Sequence, residues 1–557
     1  MESARARFSY ASTHASSWVS LARTAEHVIV AAVVVKVAHH VYSVGLKKSI
    51  GKLLVGLVRA VPGGSSTLDA TLEQEVDSAA KLLTKDVQPN HPKMQSHRFD
   101  SLPTTGLSRE VVLSKLADLK RADIDSHAGK SWAYVYSQPD NTFDDFLADA
   151  SNLFMHENAL NPMAFPALRK MENDIVRISA TLLGGDARAC GTMTSGGTES
   201  ILMAVKAHRD RALKLRNVTE PNMVIPITAH PAFEKAGHYF GVQIRHAPVT
   251  NELEDPRVSV PAMAKLIDRN TIMLLGSAPQ YPHGVIDDIP ALGALALARN
   301  IPLHVDACVG GFILPFIRKF RPDLPRFDFS VPGVASMSAD LHKYGFSSKG
   351  SSVVLYSSEE YRQYQFFTYS EWPGGLFISP SMCGSRGGGP IAAAWACLLS
   401  LGESGYVQSA RLIMDTADKL SNGVRAIPGL RVIGKPDACL VSFLSTDPTV
   451  DILAVADVME ETGWRIERQR KPSSIHLSVM PQHAKIADKF ISELAQAVNK
   501  VRANQQLAKA GSAAMYGMIA QIPDEKLIES FLVKFMARLY TPTRPAEGGA
   551  STSSSSN

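Results

Sequence analysis

Lys343 lies in the segment with the most distinctive pattern of reactive side chains, Ser338-Ala-Asp-Leu-His-Lys-Tyr-Gly345. A short apolar run leads into this segment, and His342 directly precedes the lysine. A lysine that forms a Schiff base with an aldehyde must be partly neutral, and burial near other cations lowers the pKa of such an amine. Most lysines are instead solvated surface charges, so other segments must decide between these interpretations.

A glycine pair precedes an apolar helical run in the segment Thr194-Ser-Gly-Gly-Thr-Glu-Ser200. Two glycines before a helix N-terminus expose backbone N–H groups to an anion, and the helix dipole adds partial positive charge there. The pattern therefore predicts a phosphate-binding turn. The alternative is an ordinary helix start with Thr198 as its N-cap.

Asp306 stands at the carboxyl end of a predicted apolar strand, in His304-Val-Asp-Ala-Cys-Val-Gly-Gly311. A carboxylate there can pair with a protonated pyridine nitrogen, which keeps the ring cationic and able to accept electrons. The alternative is a carboxylate that only caps the following turn. A phosphate-binding turn, a strand-end acid and a lysine, in this chain order, are together the groups that hold pyridoxal 5'-phosphate (PLP).

Short aliphatic segments alternate with helical patterns from about Pro166 onward. The predicted strands are Met223–Thr228, Ile272–Ser277, Leu303–Ala307 and Val353–Ser357. A predicted helix, Pro290–Arg299, begins at a proline between the second and third of them. This βαβ rhythm predicts a mainly parallel sheet with helices on both faces, whose ligands collect at the carboxyl ends of the strands.

After Gly402 the pattern predicts a long helix, followed by shorter strands near Leu430–Ile433 and Ala438–Leu444. These segments predict a smaller C-terminal α+β domain. The regions expected along the chain are an N-terminal segment (1–61), a linker and helical region (62–150), a large PLP-binding domain (151–402), the small domain (403–545) and a disordered Gly/Ser-rich tail (546–557).

The composition is that of a globular enzyme, with 45% hydrophobic and 20% charged residues among 557. The net charge of +5 is small for this length, and no block of Lys and Arg alternates with aromatics, so nucleic acid is not an expected partner. Five cysteines without a Cys-x-x-Cys pair argue against a disulfide framework and against zinc. No metal site and a reducing compartment are therefore expected.

The segment from Val28 to Gly45 is the most apolar stretch near the N-terminus, and Lys47 and Lys48 follow it. Its length is at the lower edge of the ~20 residues that cross a bilayer. It is expected either to span a membrane or to lie on one as an amphipathic helix, and the two are left open. If it spans, the basic flank places the catalytic body in the cytosol.

These motifs carry a resemblance to the sphingosine-1-phosphate lyase family, a group of fold-type I PLP enzymes related to the group II amino-acid decarboxylases. The similarity runs from about Gly129 to Thr541, through the segments TSGGTESI, SAPQYPHGVID, IPLHVDACVGGF, SADLHKYGFSSKGSS, GESGYV and MYGM. The decarboxylases share the first part of this pattern, whereas the HKYG continuation and MYGM are similar to the lyases. The resemblance implies an aspartate aminotransferase-like large domain and a homodimer with shared active sites.

The resemblance also implies roles for individual residues. Lys343 would carry the Schiff base with PLP, Asp306 would pair with the pyridine nitrogen, and His230 would stack on the ring, with His342 as a further catalytic residue. The cofactor phosphate would be held by Ser195, Gly196, Gly197, Thr198 and, from the neighbouring subunit, Ser385. Taken singly, His230 would be read as a satisfied core histidine.

The same resemblance implies a set of substrate-phosphate and substrate contacts: Tyr136, Asn158, Asn161, Tyr281, Lys349 and Tyr516. Lys349 lies in a glycine-flanked loop, and its alternative is an exposed loop lysine. The chain departs from the family at Asn161, where these lyases often have a histidine. This departure removes a possible charge from the phosphate site.

The implied activity is cleavage of the C2–C3 bond of a phosphorylated sphingoid base to a long-chain aldehyde and phosphoethanolamine, at the endoplasmic reticulum membrane. Lys343 or a tyrosine is expected to be the base that takes the C3 hydroxyl proton. The nearest alternative is a PLP-dependent L-amino-acid decarboxylase, which would release carbon dioxide instead. A non-catalytic, membrane-attached scaffold is a third possibility, and it would show no PLP absorbance.

Overall fold

A computed structural model describes residues 101–509 continuously, together with positions 70, 73, 74, 77, 78, 99 and 513 and the helix 525–540. The chain divides into two compact units, one of 1–123 with 510–557 and one of 124–509. The predicted membrane segment, Tyr516 and the predicted tail lie outside the described residues. None of the helices in the described ranges combines the length and apolar composition that crossing a bilayer requires.

The strands follow one another along the larger unit. They are β1 (Cys190–Thr194), β2 (Asn222–Pro226), β3 (Gln243–Ala247), β4 (Val249–Asn251), β5 (Asp255–Val258), β6 (Thr271–Ser277), β7 (Leu303–Asp306), β8 (Val334–Ala339), β9 (Ser352–Tyr356), β10 (Phe367–Tyr369), β11 (Phe377–Ser379), β12 (Leu430–Val432), β13 (Leu440–Ser445), β14 (Glu467–Arg470) and β15 (Ser473–Ser478).

The α-helices are numbered in chain order over both units. In the described ranges they are α1 (Arg109–Lys120), α2 (Asn141–Asn152), α3 (Pro166–Leu182), α4 (Gly197–Arg216), α5 (Ala232–Phe240), α6 (Val260–Lys265), α7 (Ile289–Arg299), α8 (Leu314–Arg318), α9 (Glu359–Arg362), α10 (Gly388–Ala426), α11 (Ile452–Glu461), α12 (Ala487–Ala503) and α13 (Glu525–Tyr540).

A seven-stranded sheet in the order β1-β9-β8-β7-β6-β2-β3 forms the centre of the larger unit. The pairs from β8 to β3 are parallel, and β9 runs antiparallel to both of its neighbours. Strands β2, β6, β7 and β8 are buried along their whole length, as a parallel sheet covered on both faces requires. The four predicted strands are present within two residues of their predicted ends, and the mainly parallel α/β fold is confirmed.

The predicted crossover helix between β6 and β7 is α7, and it begins one residue earlier than expected. Asp288 caps it by accepting a hydrogen bond from the Ala291 N–H at 3.1 Å, and Pro290 occupies its first turn. Asn300 ends it in the left-handed conformation, a frequent helix stop. Local capping signals therefore fix this helix at both ends.

The parallel strands bring their carboxyl ends to one edge of the sheet. Asp306 ends β7, Lys343 follows β8 within four residues, and His230 follows β2. β1 and β8 both pair antiparallel with β9, so they run parallel to each other. The end of β1 therefore brings the start of α4 to the same edge. The topology alone therefore collects the predicted PLP-binding groups.

A second, antiparallel sheet of order β12-β13-β15-β14 forms after α10. Its core includes Trp132 and Trp464, which stack at 6.0 Å between ring centroids, and Phe490 of α12. The long helix predicted after Gly402 is present as the second part of α10, which begins at Gly388 and breaks at Gly402, where φ is 56°. The proposed boundary between domains at residues 402 and 403 stays a prediction.

Candidate active site

The turn between β1 and α4 forms one wall of a cavity of about 390 Å³. The helix begins at Gly197 with Gly196 as its N-cap and without a side-chain cap, so the prediction of Thr198 as N-cap is wrong. A Cβ on Gly197 would lie 2.7 Å from Asp340 Oδ2 and 2.8 Å from Cys308 Sγ. Only glycine fits here, and the backbone therefore reaches the cavity directly.

Glu199 holds this turn in place from inside the helix. Its Oε2 accepts hydrogen bonds from the backbone N–H of Ser195 at 2.7 Å and from its hydroxyl at 2.6 Å, and its Oε1 accepts from the Met382 N–H. Within the described chain, the N–H groups of Gly197 and Thr198 in the first helical turn carry no hydrogen bond. These two donors at a positive helix end suit an anion.

Lys343 forms an ion pair with Asp340, with Nζ 2.9 Å from Oδ2. Asp340 is buried, and its pKa is lowered because Lys343 and His342 outweigh the effect of burial. Burial lowers the pKa of Lys343, but the Asp340 carboxylate more than reverses this, and the net shift is upward. The prediction that nearby cations lower the pKa of Lys343 is therefore wrong, because the nearest charge is negative.

Asp306 ends β7 with its carboxylate fixed by two donors. Oδ1 accepts from the backbone N–H of Cys308 and from the hydroxyl of Ser338, each at 3.0 Å. Among the described residues, both hydrogen bonds go to Oδ1 and none to Oδ2. The arrangement leaves one oxygen of a nearly buried carboxylate available for a donor in the cavity.

His230 and His342 contribute imidazole rings to the same cavity. His230 Nδ1 accepts a hydrogen bond from the Ala232 N–H at 3.1 Å, so its proton lies on Nε2 when the ring is neutral. The pKa of His342 is lowered, first by burial and despite Asp340, whose Oδ2 lies 3.7 Å away. Burial also lowers the pKa of His230, although Asp306 opposes the shift, so both rings are predominantly neutral at pH 7.

The turn that follows Lys343 is held by hydrogen bonds to two distant segments of the chain. The Tyr344 hydroxyl donates to the Val479 carbonyl at 3.1 Å, and the Tyr406 hydroxyl donates to the Gly345 carbonyl at 2.8 Å. Phe346 adopts a left-handed backbone with φ 59° and stacks on Tyr406 at 6.1 Å. A strained residue of this kind persists only where its surroundings fix it, and this fixes the direction of the lysine.

A larger cavity of about 810 Å³ shares Lys343, His230 and His342 with the first one and includes Asp306. Tyr136, Tyr281 and Lys349 line it. The Lys349 ammonium lies 4.6 Å from the Tyr136 ring centroid. Although this side chain is exposed to the cavity, the surrounding protein and the positive charge of Lys343 lower its pKa to about 8.

The two tyrosines of the larger cavity are held in their neutral form. Burial raises the pKa of Tyr136, although the charge of Lys343 opposes the shift. Burial also raises the pKa of Tyr281, whose ring stacks on His476 at 4.2 Å. Both phenols are therefore hydrogen-bond donors at neutral pH.

Three other predicted site residues line neither cavity of this chain: Asn158, Asn161 and Ser385. Asn158 donates from Nδ2 to the exposed Ser385 hydroxyl at 3.1 Å, and its Oδ1 accepts from the N–H of Arg386. Asn161 Oδ1 accepts from two backbone N–H groups of its own turn, those of Met163 and Ala164. Tyr516 lies outside the described residues.

The cavity residues fit PLP on grounds of shape and chemistry. Gly197 leaves a cradle that a Cβ would fill, and two free N–H groups face it for a phosphate. Asp306 has a free carboxylate oxygen for a ring nitrogen, and Lys343 supplies an amine for an aldehyde. Each group that PLP requires has a matching partner along one sheet edge.

Sequence reasoning missed several residues of this site. Asp340 is three positions before Lys343, and opposite charges at this spacing can form an ion pair, so the sequence could have predicted this contact. Glu199 falls in the first turn of α4, where acidic residues are favoured. Tyr406 belongs to the GESGYV segment, but nothing in its local pattern indicates the distant Gly345 carbonyl.

Residues 131–445 match the pyridoxal-dependent decarboxylase conserved domain. A sphingosine-1-phosphate lyase of Arabidopsis thaliana is 40% identical over 508 residues, which cover 90% of each chain. Sphingosine-1-phosphate lyase 1 of Rattus norvegicus is also 40% identical, over 89% of this chain and 85% of its own. The yeast lyase of Saccharomyces cerevisiae is 34% identical over 86% of this chain and 81% of its own.

Solved structures agree with these sequence relatives. A sphingosine-1-phosphate lyase of Burkholderia pseudomallei superposes with a TM-score of 0.71 at 37% identity, covering 78% of this chain and 99% of its own. A glutamate decarboxylase of Lactobacillus brevis has a TM-score of 0.63 at 22% identity, over 73% of this chain and 96% of its own. The second likeness is one of fold alone.

Proposed function

The chain belongs to the sphingosine-1-phosphate lyases, and on this premise we propose how its own residues cleave a phosphorylated sphingoid base. The protein is a PLP-dependent lyase, and the expected products are a long-chain aldehyde and phosphoethanolamine. The observation that carries the assignment is the meeting of Gly197, Asp306 and Lys343 at one sheet edge in a chain 40% identical to named lyases. The bound cofactor supplies a ring that accepts the electron pair of the breaking C2–C3 bond.

The residues that would hold PLP divide by chemical group. The N–H groups of Gly197 and Thr198 at the start of α4 would hold the phosphate, with Ser195 and Gly196 shaping the turn. Asp306 would keep the ring nitrogen protonated through its free oxygen, and His230 would cover the ring. Lys343 would bind the aldehyde carbon through its Nζ.

Lys343 is also our candidate for the base that takes the C3 hydroxyl proton. Tyr136 and Tyr281 are held protonated, so each can donate a hydrogen bond but is a poor proton acceptor. An amine whose ammonium form is stabilised by Asp340 is a strong proton acceptor once it is uncharged. Asp340 would then stabilise the positive charge that the proton transfer creates.

The substrate phosphate would be bound in the larger cavity. Lys349 provides a positive charge there, and the neighbouring Tyr136 hydroxyl provides a donor. Asn158, Asn161 and Tyr516 are proposed as further contacts on family grounds. Because Asn158 and Ser385 line neither cavity of their own chain, we propose that a second copy brings them to the site, in a dimer.

We also propose that residues 28–45 attach the protein to the endoplasmic reticulum membrane, with the catalytic body in the cytosol. An apolar stretch followed by Lys47 and Lys48 supports this placement. A substrate with a long alkyl chain resides in a bilayer, so attachment keeps the active site near its supply. Deleting residues 1–60 should release the protein from membranes and preserve PLP binding, and loss of PLP binding would contradict the proposal.

The activity test is incubation of the purified protein with a phosphorylated sphingoid base, followed by assay of aldehyde and phosphoethanolamine in equal amounts. The decarboxylase alternative predicts carbon dioxide from an amino acid and no aldehyde. A Lys343→Ala protein serves as the control for chemistry at the site. Carbon dioxide release without aldehyde would overturn the lyase assignment.

A further inference from the structure

A chain of buried polar side chains runs from Asp306 into the protein core, away from the cavity. Ser338 Oγ lies 3.0 Å from Asp306 Oδ1, and His304 Nε2 lies 3.3 Å from that hydroxyl. On the other side of the imidazole, His304 Nδ1 lies 2.8 Å from Ser336 Oγ, and His208 Nε2 lies 2.7 Å from Ser336 Oγ. Five side chains from β7, β8 and α4 are thus joined end to end by hydrogen bonds, and we call this set the relay.

His304 and His208, the two histidines of the relay, are enclosed by protein and uncharged. His304 is completely buried and His208 is 1% exposed. Burial lowers the pKa of His304 to about 4, although Asp306 opposes the shift, and burial lowers the pKa of His208 to about 3. Each ring therefore carries one proton and can donate from only one nitrogen.

The hydrogen bonds can be ordered from the carboxylate outward. Asp306 Oδ1 can only accept, so the Ser338 hydroxyl donates to it, and Ser338 Oγ then accepts from His304 Nε2. Because the His304 proton is on Nε2, its Nδ1 accepts from the Ser336 hydroxyl. Ser336 Oγ in turn accepts from His208 Nε2.

His208, at the end of the relay farthest from Asp306, agrees with these hydrogen-bond directions. His208 Nδ1 is buried and has no hydrogen-bond partner among the described residues. If His208 donates from Nε2, the atom left alone is an acceptor, which is the less costly kind of unpartnered group. The reverse order would bury an N–H without a partner, and orphaned buried N–H groups are rare.

We propose that Ser338, His304, Ser336 and His208 are positioning residues that act through Asp306: their four aligned hydrogen bonds polarise the hydroxyl that donates to its carboxylate and hold that carboxylate aimed at the cofactor ring nitrogen. The inference rests on the proposed function, because it assigns the task of Asp306 in a PLP site. Successive aligned hydrogen bonds polarise one another, and a low-dielectric interior strengthens each of them.

The chain also connects two parts of the cofactor site. His208 belongs to α4, whose first turn faces the phosphate cradle, whereas Asp306 ends β7. Ser336 and Ser338 lie on β8 between them, on the same face of the strand. The hydrogen bonds therefore join α4, which begins at the phosphate cradle, to the strand end that carries Asp306.

Removing one member separates this role from ordinary core packing. Ser338→Ala deletes the hydroxyl that donates to Asp306. Ser336→Ala interrupts the relay two hydrogen bonds further from Asp306. Ser179→Ala is the matched control, since Ser179 is also fully buried but donates only to the Ile175 carbonyl within α3. A structural role predicts equal losses of stability for the three variants and no effect on the cofactor ring.

The first measurement is the ¹⁵N solid-state NMR signal of PLP labelled at its ring nitrogen, bound to the full-length protein. The relay predicts a protonated ring nitrogen in the wild type and in Ser179→Ala. It predicts a shift toward the unprotonated position in Ser338→Ala, with PLP affinity weakened about tenfold, and a smaller shift in Ser336→Ala. A Ser338→Ala signal equal to that of the wild type would overturn the proposal.

His304 offers a rescue pair. His304→Phe keeps a ring in the core but removes both nitrogens, whereas the amide of His304→Gln can replace the Nε2 donor. The ring-nitrogen signal should move in the first variant and return toward the wild-type position in the second. If both variants move equally while remaining folded, the donor role of His304 is wrong.

Histidine-labelled protein without PLP tests the direction of the chain by itself. The relay predicts protons on Nε2 of both His304 and His208, as assigned by loss of each signal in the corresponding variant. A proton on Nδ1 of either ring would overturn it. A failure of the proposed function would appear differently, as wild-type protein that neither binds PLP nor releases aldehyde.

Discussion

The cavity around Lys343 and the exposed pair of Asn158 and Ser385 are both assembled from family motifs, but they differ in how their polar groups are used. In the cavity, the buried carboxylates of Asp306, Asp340 and Glu199 are held by hydrogen bonds or an ion pair, while one carboxylate oxygen, an amine and two N–H groups remain for a ligand. In the second pair, Asn158 donates to the Ser385 hydroxyl and accepts from the backbone N–H groups of Arg386 and Leu160.

This difference teaches which part of the site one chain can complete. The PLP-binding groups sit on adjacent strand ends of a single sheet, so folding of one chain is enough to gather them. The Asn158 and Ser385 side chains have no role in the cavities of their own chain. They gain one only if another copy carries them to it, and the predictions below probe this contrast.

Replacing Lys343 with alanine should have the largest effect. We expect turnover to fall by about 1000-fold or more, since the variant lacks both the amine for the cofactor and the proposed base. The absorbance of lysine-bound PLP should vanish. Lys349→Ala is the matched control, because it removes the other lysine of the larger cavity and should keep that absorbance.

Asp340→Asn should lower kcat by about 100-fold, because the ammonium of Lys343 loses the carboxylate that stabilises it. Without that charge the pKa of Lys343 falls, since burial then dominates. A pH profile of kcat measures the effect. Asp488→Asn, which breaks the exposed pair with Lys419, is the control and should leave kcat unchanged. Equal effects of the two variants would contradict the role of Asp340.

Mixing two inactive variants tests whether the site is shared. Ser385→Asp should lose about 30-fold in activity by placing a negative charge near the cofactor phosphate of the other subunit. When this variant and Lys343→Ala are unfolded, mixed equally and refolded together, a shared site predicts about one quarter of wild-type activity from random pairing. No recovery above the average of the separate variants would contradict the shared site.

The pH dependence of substrate binding should report Lys349. Its pKa of about 8 means that the ammonium loses its proton as the pH rises above 8. Attraction for the substrate phosphate then weakens, so kcat/KM, which reflects the free enzyme, should fall by about tenfold per pH unit in that range. Lys349→Arg keeps its charge and should remove this fall. An unchanged profile in Lys349→Arg would exclude Lys349 as its source.

Much of the fold could be predicted because its signals are local. The four predicted strands are short aliphatic runs, and α7 has a capping aspartate, a starting proline and a left-handed asparagine. The helical part of α10 before Gly402 was not predicted, because the helix bends at this one non-helical residue instead of beginning there. A single glycine in a helical pattern is a poor guide to whether a helix stops or bends.

The site could be predicted where one strand end carries one functional group, as with Asp306. The charge state of Lys343 could not, because it depends on which neighbour lies nearest, and that neighbour is Asp340 rather than a cation. The Tyr406 hydrogen bond to Gly345 joins residues 61 positions apart and leaves no local pattern. Tertiary contacts of this kind set pKa values and loop geometry, and sequence periodicity does not encode them.

The most direct test of the central claim is borohydride reduction of the PLP-loaded, full-length protein, followed by peptide mass mapping. Reduction makes the bond between the cofactor and its lysine permanent, so the modified residue can be read from the peptides. We predict a single modified lysine, Lys343, in wild-type protein and none in Lys343→Ala. Modification at Lys349 or elsewhere, or no modification of a protein that turns over substrate, would contradict the account.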